Sequence, residues 1–301
     1  MWFKNLKIYR LAPGTILAAL QAGMENYQFH PCDSQQAESV GWVPVRPDCD
    51  LLYTLGGQYL LLMCIEKKLL PASVVNAAAA VRAERIEQEQ GYRPGRKQMK
   101  EIKEQVTLDL LPKAFTVHQF VPAWIDAVNR WAVVDASSDA KSDVLLGLLA
   151  KTISPFPLVP FHVEVAPARA MTEWLVDDDE PAGFSVDQDA ELQNPGESRA
   201  TVRYSNQTLA AQEALQRVHE GKQCTRLAMT WNDRISFVLT DSLDVRRVKP
   251  LDVLREKSDA QNEAEQFDSD FALMTGELAR LLDDLGEALG GEKTGAESEF
   301  A

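Results

Sequence analysis

Gly56-Gly57 stands between two apolar runs, Leu51-Leu52-Tyr53-Thr54-Leu55 and Tyr59-Leu60-Leu61-Leu62-Met63-Cys64-Ile65. A two-residue turn that tolerates positive φ, flanked by strand formers, is the strongest short-range hairpin signal. The same signal occurs twice more. Trp124-Ile125-Asp126-Ala127-Val128 and Trp131-Ala132-Val133-Val134-Asp135 flank Asn129-Arg130. Cys224 to Trp231 and Arg234 to Leu239 flank Asn232-Asp233. Three hairpins commit the chain to antiparallel sheet, and amphipathic stretches between them supply helices to cover it, which places the fold in the α+β class.

The helical stretches are bounded by recognisable signals. Thr15 precedes a helix expected over 16–27, and Pro71 opens one to about Gln90. Pro94 is a candidate first helical position before the run from Arg96. Met99, Ile102, Val106 and Leu110 share one stripe there, and Arg96, Lys100 and Lys103 another, roughly a quarter turn away at about 100° per residue. Further helices are expected over 138–152, 205–220 with Gly221 just past the end, 250–257, and 267–289. Strands are expected at 2–11, 161–165, 201–204 and 245–248, and the acidic run 177–191 reads as a solvated loop. The order hairpin, charged turn, proline, helix occurs at 51–90 and again at 224–257, which predicts pseudo-repeated lobes in an elongated, multi-lobed chain. The expected domains are a sheet-rich central region (1–75 and 120–175), a helical tip carrying the basic stripe (76–119), a second lobe (176–260), and a C-terminal helix with a mobile acidic tail (261–301).

Charge narrows the function. The 301 residues carry 31 Lys and Arg against 45 Asp and Glu, a net −14. Two segments hold the excess: 173–197 has nine acids and no Lys or Arg, and 251–301 has fourteen acids against four bases. The rest is net positive, with its bases concentrated in 91–113 and 199–249. A protein whose acids are segregated still presents a cationic surface, because the local field governs association with a polyanion. No window approaches 18 apolar residues, so no membrane span is expected, and the N-terminus shows no secretory signal. Cys32, Cys49, Cys64 and Cys224 are widely spaced and contain no CxxC, which fits reduced thiols in a cytoplasmic protein.

Catalytic signatures are missing. GxSxG, HExxH and GxxxxGK[ST] do not occur, and His30, His118, His162 and His219 are scattered without a partner at metal-ligand spacing. Asp177-Asp178-Asp179-Glu180 lacks the turn glycine and alternating ligands of a calcium loop. The acids of Phe267-Asp268-Ser269-Asp270-Phe271 suit the first turn of a helix. Trp42, Trp124, Trp131, Trp174 and Trp231 have apolar neighbours and read as core. No cofactor, metal or enzymatic activity is expected.

Trp2-Phe3-Lys4-Asn5-Leu6 with Tyr9-Arg10-Leu11, Gly41-Trp42-Val43-Pro44, Leu110-Leu111-Pro112-Lys113-Ala114-Phe115, Trp124-Ile125-Asp126, Thr172-Glu173-Trp174-Leu175, and Phe267-Asp268-Ser269-Asp270-Phe271-Ala272-Leu273-Met274-Thr275-Gly276-Glu277-Leu278 resemble the RdgC family of bacterial recombination-associated proteins. The resemblance spans essentially the whole chain. It implies a sequence-independent, non-enzymatic binder of double-stranded DNA that assembles as a ring-shaped homodimer around the duplex, is nucleoid-associated, and opposes RecA-driven recombination. It further implies that Phe115 occupies the place of an aromatic at one dimer contact. At the other contact the family has a Lys-Gln pair, and Asn206-Gln207 stand there in this chain. Charge clustering and motif position nominate Lys68, Arg93, Arg96, Lys97, Lys100, Lys113, Lys222 and Arg226 for phosphate contact. A second reading is an acidic protein-interaction module that acts on a recombination or replication partner.

Overall fold

A computed structural model describes residues 2–15, 17–177, 180–196, 200–205, 211–254 and 262–293. In chain order the strands are β1 (Asn5–Leu11), β2 (Glu38–Val43), β3 (Tyr53–Leu55), β4 (Gln58–Lys68), β5 (Thr116–Asp126), β6 (Trp131–Asp135), β7 (Leu158–Pro160), β8 (Phe184–Gln193), β9 (Thr201–Tyr204), β10 (Gln223–Trp231), β11 (Ile235–Thr240) and β12 (Val245–Pro250). The α-helices are α1 (Leu20–Glu25), α2 (Ala72–Gln90), α3 (Arg96–Leu110), α4 (Asp139–Thr152), α5 (Pro167–Asp177), α6 (Ala211–His219) and α7 (Glu263–Ala288). The fold is α+β, with a large antiparallel sheet and seven α-helices among the described residues.

The three hairpins form where glycine and turn residues place them. Gly56 and Gly57 both have positive φ, 57° and 83°, the pair of left-handed conformations that a tight β3–β4 turn needs. Asn232 and Asp233 take the same role between β10 and β11, with φ of 46° and 53°. In the β5–β6 turn the buried Asp126 carboxylate accepts the backbone N–H groups of Val128 and Asn129 at 2.8 and 2.9 Å, and Arg130 bends back at φ 61°.

The chain divides into two compact units. The first comprises Met1–Leu17, Tyr53–Leu60 and Pro122–Ala301. Within it β6 pairs β1, β1 pairs β12, and β11 lies between β12 and β10, which also pairs β8; β9 follows β8. Helix α7 is the core of this unit. Phe271, Met274, Leu278, Leu281, Leu282 and Leu285 are buried along one side of it, the 3–4 spacing of a packed face. Three of its acids accept from the strands: Tyr53 Oη donates to Asp268 at 2.5 Å, and the indole N–H groups of Trp131 and Trp231 donate to Asp283 and Asp284 at 2.9 and 2.7 Å. Asp268 and Asp270 do not lie in the first turn as the sequence suggested, because the helix begins earlier, at Glu263; Asp268 instead fixes the helix to the β3–β4 hairpin.

The second unit comprises Ala18–Leu52 and Leu61–Val121. Here β2 pairs β4 from Glu38↔Lys67 to Val43↔Leu62, and α2 with α3 forms an antiparallel helical hairpin. Gly91, at φ 80°, ends α2 in the left-handed conformation that a β-carbon disfavours. Ala79 and Ala83 of α2 meet Ile102 and Val106 of α3, with Val75, Ala78, Ile86, Met99 and Leu110 packed around them. The alanines let the helices approach closely, and burying Ile102 and Val106 contributes about 1.5–3 kcal/mol each.

Several sequence expectations move. Helix α3 starts at Arg96 after Gly95, two residues beyond Pro94, and Pro71 precedes α2 instead of opening it. The strand expected at 161–165 lies earlier, at β7, because Val159 and Leu158 pair Arg10 and Leu11. The helix expected over 250–257 is a single 3-10 turn, Asp252–Leu254, within its described part. The acidic run read as a loop is largely β8: its apolar residues Phe184, Ala190 and Leu192 are buried, so the run is a sheet strand with charged outward positions.

Candidate nucleic-acid interface

The α2–α3 hairpin carries a cluster of exposed cations. Helix α3 buries Ile102 and Val106 and leaves Arg96, Lys97, Lys100 and Lys103 exposed around the rest of its circumference. Neighbouring carboxylates neutralise part of the surface. Arg82 bridges the helices to Asp109 at 2.9 Å, Arg93 pairs Glu87 at 3.2 Å, and Lys100 lies 3.8 Å from Glu104, one turn on. Arg96, Lys97, Lys103 and Lys113 form no ion pair with any described carboxylate. Two of the sequence-nominated residues, Arg93 and Lys100, are thus in surface pairs of the kind worth about 0–1 kcal/mol, which a phosphate can displace.

Lys68 sits at the end of β4 with its ammonium on backbone carbonyls, donating to Asp33 and Ser34 at 2.7 and 2.8 Å. These bonds hold the side chain without cancelling its charge. Lys103, on the stripe but outside the nominated set, and Lys67, beside Lys68, line a cleft with it at the foot of the hairpin. The periodicity of α3 pointed to Lys103; nothing local marks Lys67.

The bases of the first unit are placed differently. Lys222 has a side chain only 12% exposed, 2.7 Å from Glu220, whose carboxyl is held below its usual range by hydrogen bonds from Lys222 and Arg217. Arg226 lies 3.9 Å from Glu191, and Arg203 Nε donates to the same Glu191 at 2.9 Å. Arg247 is 3.8 Å from Asp189. The acids of β8 therefore stand among the bases of 199–249, because β8 pairs both β9 and β10. Segregation along the chain does not survive strand pairing in this unit, whereas α3 keeps unpaired cations.

Phe115 is 84% exposed, just before β5. Its carbonyl accepts the Leu69 N–H at 2.7 Å, so the backbone is anchored while the ring is free. The next five residues, Thr116 to Phe120, are all exposed, and the described ladder from β6 reaches β5 only at Ala123–Asp126. Consecutive strand residues point to opposite faces, so both faces of this stretch are largely open, with Phe29 and Glu66 against His118 on one of them. Phe115 and Val117, two residues apart, expose apolar surface on one face, of the kind that marks an interaction site, and Phe120 lies on the other face beside His118. Beneath it Glu66 accepts the Cys32 N–H and bonds His118 Nε2 at 3.2 Å, and the Cys32 bond is the first cause of its lowered pKa. Asn206 and Gln207 lie outside the described residues.

Among the described residues no group of three His, Cys, Asp or Glu side chains is placed to hold a metal ion, and no helix is long and apolar enough to cross a membrane. Cys64 and Cys224 are buried and none of the four thiols is bonded to another.

Nearly the whole chain is similar in sequence to known proteins. The family model described as "Putative exonuclease, RdgC" matches residues 1–292. Proteins named Recombination-associated protein RdgC are similar throughout: one from Bordetella parapertussis is 54% identical over 297 residues, covering 97% of this chain and 99% of that protein. One from Janthinobacterium sp. is 55% identical over 296 residues, with coverage of 97% and 99%. One from Cupriavidus necator is 50% identical over 297 residues, again with 97% and 99% covered. With the family model matched over residues 1–292 and such relatives covered almost end to end, the chain belongs to the RdgC family of recombination-associated proteins.

Proposed function

We propose that this chain binds double-stranded DNA through its phosphates, without reading sequence, as a homodimer closed into a ring around the duplex. The observation that carries the reading is the α3 surface: Arg96, Lys97 and Lys103 stand exposed, without ion pairs among the described residues, on a helix that Ile102 and Val106 anchor in a core. Cations fixed on one rigid element track a polyanion, and contacts to phosphate alone carry no sequence information. In this reading Arg93, Lys100 and Lys113 add to the same surface, with Lys68, Lys222 and Arg226 as lesser contributors.

Phe115 supplies one dimer contact, supported by its exposure beside the uncovered start of β5. Asn206 and Gln207 supply the other. The duplicated lobes read in the sequence belong to the same proposal. Occupancy of the duplex restrains RecA-mediated strand exchange, in keeping with the recombination named for the relatives, and places the protein on the nucleoid in the cytoplasm. The chain acts by binding and not by hydrolysis.

A mobility-shift titration over salt, with linear and covalently closed duplexes, tests this function. Sequence-independent binding that weakens steeply with salt is expected, because each neutralised phosphate releases counterions. Absence of binding at low salt overturns it. End-labelled duplex incubated with Mg2+ stays intact on the same reading, and protein-dependent shortening contradicts it.

A further inference from the structure

A cleft of about 580 Å3 lies at the foot of the α2–α3 hairpin, where the ends of β2 and β4 meet the two helices. That is within the roughly 300–1,000 Å3 of small-ligand sites. One side is cationic: Lys67, Lys68 and Lys103 line it with a single carboxylate, Glu38, 3.6 Å from Lys67. The other side is aliphatic, from Leu70, Val75 and Leu111. The first turn of α2 opens into it at Ala72, with no side chain capping its N–H groups and no acid in that turn. The positive end of a 19-residue helix therefore adds to three lysines at one place.

A smooth duplex backbone meets cations on a surface and has no group to fill an aliphatic recess. The lining fits a ligand with a phosphate at one end and a flat apolar body at the other. We propose that the cleft binds a nucleoside 5′-phosphate, its base against Leu70, Val75 and Leu111 and its phosphate among Lys67, Lys103 and the first turn of α2. An unpaired nucleotide at a DNA strand end and a free nucleotide share this chemistry. The strand-end source rests on the DNA-binding function proposed above; the free-nucleotide source does not.

Calorimetric titration with dAMP, and anisotropy with a blunt duplex and the same duplex carrying a 5′-phosphorylated four-base overhang, test it. The overhang is expected to bind about tenfold tighter than the blunt duplex, the effect of one or two charge-assisted hydrogen bonds. Ala72→Trp, which fills the cleft from an exposed position, removes that gain and any dAMP heat. The pair Lys67→Ala and Lys103→Ala removes them by charge and covers the case in which Ala72→Trp fails to fold. Binding of dAMP without an overhang gain supports the cleft with a free nucleotide as its ligand. No dAMP heat and no overhang gain, or values unchanged in both variants, overturns the cleft proposal while blunt-duplex binding still stands for the function. Failure of the blunt duplex alone counts against the function and leaves the dAMP result to decide the cleft.

Discussion

Arg234 donates from Nε and Nη2 to the two carboxylate oxygens of Glu277, at 2.7 and 2.8 Å, joining the β10–β11 hairpin to α7. Glu277 is 1% exposed and also receives Arg280 from its own helix. The family signature of α7 is thus a set of attachments. Asp268 takes the Tyr53 hydroxyl, Met274 Sδ accepts the Phe3 N–H at 3.3 Å, and Glu277 takes the arginines.

Glu277→Ala leaves two guanidinium groups facing an emptied apolar site. Breaking a buried pair costs about 3–5 kcal/mol, and because both arginines reach solvent the lower figure is expected. The urea midpoint of unfolding measures it; an unchanged midpoint would show that the bidentate pair contributes nothing net.

Neutralising the free cations separates them from paired ones. Arg96→Gln with Lys97→Gln should weaken duplex binding equally across sequences and lower the salt slope by about one unit per contact. Lys222→Gln, at a mostly buried ammonium on Glu220, should lower the slope by less than the α3 variant does, as befits a lesser contributor. Salt titrations of the variants on two unrelated duplexes decide this, and equal slopes for wild type and the α3 variant would remove that helix from the interface.

Phe115→Ala tests assembly independently of folding. An exposed ring contributes little to the monomer, so its stability should move by no more than about 0.5 kcal/mol, while the sedimenting mass falls to that of a single chain. A variant that remains fully dimeric contradicts the role of Phe115.

The acid side of the stability profile should respond to Glu66. Its folded pKa is lowered, first by the Cys32 N–H bond and, after burial, by Cys32, His118 and Thr116 side chains. A depressed carboxylate contributes stability above its unfolded pKa, about 4.3, and loses it as pH falls through the folded value. Thermal unfolding of Glu66→Gln between pH 6 and 3 should show a flatter decline than wild type; parallel curves would exclude the linkage.

Cys224 is held by burial at a pKa of about 12. Thiolate is the reactive species, so N-ethylmaleimide at pH 8 should leave Cys224 unmodified in the native protein and label it in urea. Peptide mapping distinguishes the two, and rapid native labelling would mean that the β10 region opens readily.

Local chemistry was legible in the sequence where one short segment carried it. The turns at Gly56-Gly57 and Asn232-Asp233 depend on the φ of two residues, and the α3 stripes depend on a period of 3.6, so both were read without knowing any partner. The buried tryptophans were read as core from their neighbours, and Trp42, Trp124, Trp131, Trp174 and Trp231 are buried. The end-to-end motifs placed the chain in its family. Tertiary structure alone decided which charges are free. Glu191 stands beside Arg203 and Arg226 because β8 lies between β9 and β10, and strand pairing is a choice among distant segments that no local pattern encodes. It alone gave Asp268, Glu277, Asp283 and Asp284 of α7 their partners, since Tyr53, Trp131 and the hairpin that carries Trp231 and Arg234 come from three separate places in the chain. It alone brought Lys67 and Lys103 to one cleft: a cation's availability depends on what the fold sets within about 4 Å of it, where Coulomb attraction is strongest.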